Sequence, residues 1–140
     1  MFQRILVAVD GSEGGRTAVA TAGAMAALTG ATVRILHVDP SDVVYDTVVA
    51  LEDDGTAHRV VDGAVASLRQ AGVAAEGELL DGLVPDVAAA VSEAADRFGA
   101  DLVVLAPHHR SRLAAWFSPR VSDQVSHRSA VPVLLAGGTP

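Results

Sequence analysis

The chain has 140 residues, a formal net charge of −7, no cysteine, and arginine at every one of its ten basic positions. That length suits one domain with a self-sufficient core. Without cysteine there are no disulfides, thiolate nucleophiles or Cys-ligated metals; without lysine there is no P-loop lysine, Schiff base or lysine general base. The acidic balance also argues against a non-specific nucleic-acid binder, which needs a basic face.

The first element is read from residues 2–9, a continuous apolar run of the kind buried on both faces of a sheet, ended by Asp10-Gly11-Ser12, which can turn and cap a helix. This opening run is too short for a signal peptide or a membrane span, so a cytoplasmic chain with no membrane association is expected. Residues 13–28 form an Ala-rich helix with Ala18, Val19, Ala22, Met25 and Ala26 at helical spacing, stopped by Gly30. Residues 32–38 read as the second strand. The segment 39–54 is longer than a usual connection, and its 43–51 piece is expected as a short helix or lid.

A second helix is expected over 55–71, with Val61, Ala64, Val65 and Leu68 on one stripe before Gly72. Residues 73–80 follow as a strand carrying Glu76 and Glu78, as suits a sheet edge. Pro85 opens a third helix whose buried face holds Val87, Val91, Ala94, Ala95 and Phe98, closed by Gly99. Residues 100–106 form the fourth strand, 119–127 the last helix and 131–136 the fifth strand. Strands alternating with crossover helices give a single domain: a doubly wound, three-layer α/β/α sandwich on a parallel sheet.

In such sheets a ligand lies outside the C-terminal strand ends, where the winding direction reverses. The rim there is made by Asp10-Gly11-Ser12, by His37 and Asp39, by Asp81-Gly82 and by Pro107-His108-His109, with Gly11, Gly14 and Gly15 letting a ligand approach the backbone.

Several stretches together resemble the universal stress protein family over essentially the whole chain. They are Arg4-Ile5-Leu6-Val7-Ala8-Val9-Asp10-Gly11-Ser12, Leu36-His37-Val38, Asp81-Gly82-Leu83-Val84-Pro85, Ala100-Asp101-Leu102-Val103-Val104-Leu105 and Ser129-Ala130-Val131-Pro132-Val133-Leu134. The resemblance implies a five-stranded parallel sheet in the order 3-2-1-4-5, of the adenine nucleotide alpha hydrolase-like kind. In ATP-binding members the aspartate after the first strand and the backbone ending the second hold the adenosine, which points to Asp10 and Val38. The phosphates in those members lie on a loop of the form G-x2-G-x9-G-[ST]. Here its glycine positions fall on Ala106, His109 and Pro119, and its hydroxyl position on Arg120. Proline has no N–H to offer a phosphate, and side chains at the other positions take the space and restrict the backbone. The usual cradle is therefore expected to be missing.

What the loop offers instead is charge: Arg110, Arg112 and Arg120 with His108 and His109, and the hydroxyls of Ser118 and Ser122. The candidate ligand-binding set is thus Asp10, Gly11, Ser12, Val38, His108, His109, Arg110, Arg120 and Ser122, each weighed against a plain turn or solvated-loop role. A metal on His37, His108 and His109 lacks a full ligand set, and no serine sits in a nucleophile elbow, so no metal, catalytic residue or required cofactor is assigned. Trp116-Phe117 reads as an anchor for the last helix. Proline within Val131-Pro132-Val133-Leu134-Leu135 marks an edge strand, and a homodimer through residues 131–136, ending on Ala136, is expected. The reading is a stress-response regulatory or binding protein, not an enzyme, that acts through protein partners. The alternative is a crevice that binds ATP, AMP or another small anion through Asp10 and the loop arginines.

Overall fold

Apolar runs long enough to be buried on both faces place their backbone groups in a parallel ladder, and the chain builds a five-stranded one around such central runs, with less buried strands at its edges. The structure, a computed structural model, describes residues 2–9, 13–38, 41–44, 47–50, 54–80, 87–106, 125 and 131–136. Its elements are β1 (Arg4–Val9), α1 (Glu13–Thr29), β2 (Thr32–Val38), β3 (Ser41–Val44), β4 (Thr47–Ala50), α2 (Asp54–Gln70), β5 (Ala75–Leu80), α3 (Val87–Phe98), β6 (Leu102–Leu105) and β7 (Val133–Leu135). The main sheet has the order β5-β2-β1-β6-β7, which is the expected 3-2-1-4-5 counted over its own strands, and every pairing in it is parallel.

Strand alternation sorts the core into two layers. Ile5, Val7 and Val9 of β1, with Val33 and Ile35 of β2, pack beneath Ala18, Ala22 and Ala26 of α1 and Val61, Val65 and Leu68 of α2. Leu6, Ala8 and Leu36 face the other way, toward Ala88, Val91, Ala94 and Phe98 of α3 and the fully buried Val125. The alanine stripe of α1 lets that helix lie close over the sheet, the packing expected of a core with little aromatic bulk. Each of the three helices ends before a glycine in the left-handed region, Gly30 (φ 75°), Gly72 (φ 83°) and Gly99 (φ 71°), as the C-terminal stop signals require.

One expectation is overturned. The piece 43–51 is not a short helix: Ser41–Val44 and Thr47–Ala50 pair antiparallel, with Val43 opposite Val48 and Val44 opposite Thr47. Two β-branched pairs, Val43-Val44 and Val48-Val49, separated by only a few residues, favour a hairpin over a helical turn. Of the last expected helix, 119–127, Val125 alone lies within the described residues, and it is helical.

Candidate functional site

The winding reverses between β1 and β6. From β1 the chain passes to α1 on one face, whereas Val125, which follows β6 in the chain, packs with α3 on the opposite face; the general rule for parallel sheets puts a ligand crevice outside the C-terminal strand ends at such a reversal. The register fixes its floor: Ala8 pairs with Leu105, Val9 with His37, and Val38 with Leu80.

Of the candidate ligand-binding residues, Val38 is the one that lies among the described residues, as the last residue of β2. Asp10, Gly11, Ser12, His108, His109, Arg110, Arg120 and Ser122 lie outside them. Three neighbouring positions can be placed. Ala106, at the first glycine position of the family loop, is 5% exposed and belongs to the core layer under α1 and α2, together with Ala136. His37 is completely buried, so its imidazole is not an open rim ligand. Gly15 is buried in the first turn of α1, and a Cβ there would meet Val9 Cβ and Cγ1 at 3.3 Å. Its missing side chain therefore serves the seating of α1 on β1. Among the described residues no three His, Asp or Glu side chains gather into a metal-binding group.

The opposite end of the sheet is held by charge. The backbone N–H groups of Gln3 and Arg4 donate to the Asp101 carboxylate at 2.8 and 3.0 Å, and the Asp101 N–H donates to the Arg4 carbonyl at 2.9 Å. Burial alone would raise the Asp101 pKa, but the Gln3 and Arg4 N–H donors outweigh it and hold the carboxyl below its ordinary 3.8. On the α3 face, Arg34 donates to Glu76 at 3.0 and 3.2 Å and lies 3.6 Å from Glu78, which Arg97 reaches at 2.7 Å. The Arg34 guanidinium also lies 4.4 Å from the centre of the Phe98 ring. These pairs account for Glu76 and Glu78 on the edge strand as sheet-stabilising groups.

A groove of about 590 Å³ opens between α1 and α2, with Val9 at its base and Arg16 and Arg59 among its lining residues. The sequence reading singled out neither arginine.

A parallel sheet in this order with helices on both faces defines a doubly wound, three-layer α/β/α sandwich. The chain belongs to the universal stress protein family, whose model matches residues 1–137. It is similar to a universal stress protein family member from Burkholderia pseudomallei, at 26% identity and TM-score 0.72, over 95% of this chain and 94% of that one. Two further solved structures share the fold. A universal stress protein in complex with cAMP is 24% identical with TM-score 0.70, covering 97% of each chain. The universal stress protein from Archaeoglobus fulgidus in complex with dAMP is 24% identical with TM-score 0.67, covering 95% of this chain and 96% of that one. No curated protein is significantly similar to the chain.

Proposed function

We propose that this chain is a single-domain, stress-response regulatory and binding protein that does not hold ATP on the family's glycine loop, and that it is not an enzyme. The observation that carries the reading is the residue set at the loop positions: Ala106, His109, Pro119 and Arg120 stand where bare backbone and a hydroxyl would face the phosphates.

Function then rests on contacts with protein partners and with a second copy of the chain. The homodimer through the last strand is supported by the position of β7, which among the described residues is hydrogen-bonded to β6 alone and ends on Leu135, 48% exposed. A cytoplasmic location agrees with the described helices, none of which is long and apolar enough to cross a membrane.

A second reading is favoured by the relatives solved with cAMP and dAMP. Here the crevice takes an adenine nucleotide through Asp10 and the Val38 backbone, with Arg110, Arg120, His108, His109 and Ser122 replacing the glycine loop around the phosphates. Thermal denaturation with ATP, AMP, cyclic AMP and adenosine, each with magnesium, separates the two. The first reading predicts no saturable stabilisation by any of them. Stabilisation by ATP but not by adenosine would replace it with the arginine-based crevice.

A further inference from the structure

We draw no further inference here: the strongest candidate, the outer face of α1, where Ala20, Ala24, Ala27 and Leu28 are exposed on a stretch from 17 to 29 without a charged residue, is a stripe of small residues, and nothing in the structure shows what covers it.

Discussion

Replacing Gly77 with alanine tests how tightly α2 is seated on the edge strand. Gly77 lies in β5 beneath α2, and a Cβ there would run into Val61 Cγ1 and stand 3.4 Å from Val65 Cγ2. Val61 is buried and β-branched, so it cannot swing aside without leaving its rotamer or lifting the helix. Overpacking of this kind costs about 1–3 kcal/mol, and the better strand propensity of alanine returns about 0.5–1, leaving Gly77→Ala destabilised by about 1–2 kcal/mol. Val61→Ala alone should cost about 2–3 kcal/mol through lost burial and the space it leaves. In the double variant the new methyl occupies that space. Urea denaturation of the four proteins should therefore give a favourable coupling of about 1–2 kcal/mol, so that Gly77→Ala is nearly neutral in the Val61→Ala background. At about 3–5 °C per kcal/mol for a chain of this length, melting temperatures should show the same pattern. Strict additivity would refute the account of why glycine stands at 77.

Asp101→Asn should cost about 1 kcal/mol at neutral pH, a figure held down by solvent screening of an exposed carboxylate. Because the folded-state pKa is depressed, the contribution of Asp101 is complete above the ordinary 3.8 and disappears as the pH falls through the lower folded value. Urea midpoints of wild type and variant should accordingly converge in acid, and a gap unchanged with pH would contradict the role given to Gln3 and Arg4 N–H. Arg34→Met leaves Glu76 and Glu78 without their shared partner and should cost about 1 kcal/mol, less in high salt, by the same denaturation. Val133→Lys places a charge on β7 and should convert the proposed dimer to monomer by light scattering, whereas a dimer unaffected by it would move the interface elsewhere.

Much of this architecture could be read from residue order alone, for physical reasons that also explain the misses. The strand 32–38 is recovered residue for residue, because Thr32 follows a glycine stop and the run ends at a polar segment. Glu76 and Glu78 marked β5 as an edge correctly, although their partner Arg34, one residue from the centre of β2, could be paired with them only once the register was known. The hairpin at 41–50 was missed because its strands are short and a valine-rich stretch in a long connection fits either period. The candidate site divides similarly. The switch point follows from the strand order, and with it the strand ends at Val9, Val38 and Leu105, but eight of the nine proposed ligand contacts fall outside the described residues. The groove had no local signature, since Arg16 and Arg59 lie on different helices and meet one cavity only after α1 and α2 pack side by side.

The central claim, that this family member lacks the phosphate cradle because of the residues at four positions, is tested most directly by restoring them. Titration calorimetry would compare ATP binding to the natural chain and to the variant carrying Ala106→Gly, His109→Gly, Pro119→Gly and Arg120→Ser. The account predicts no measurable binding by the natural chain and a gain of ATP binding by the folded variant. ATP binding by the natural chain that the four substitutions weaken would contradict it, since recognition would then reside in the very side chains said to prevent it.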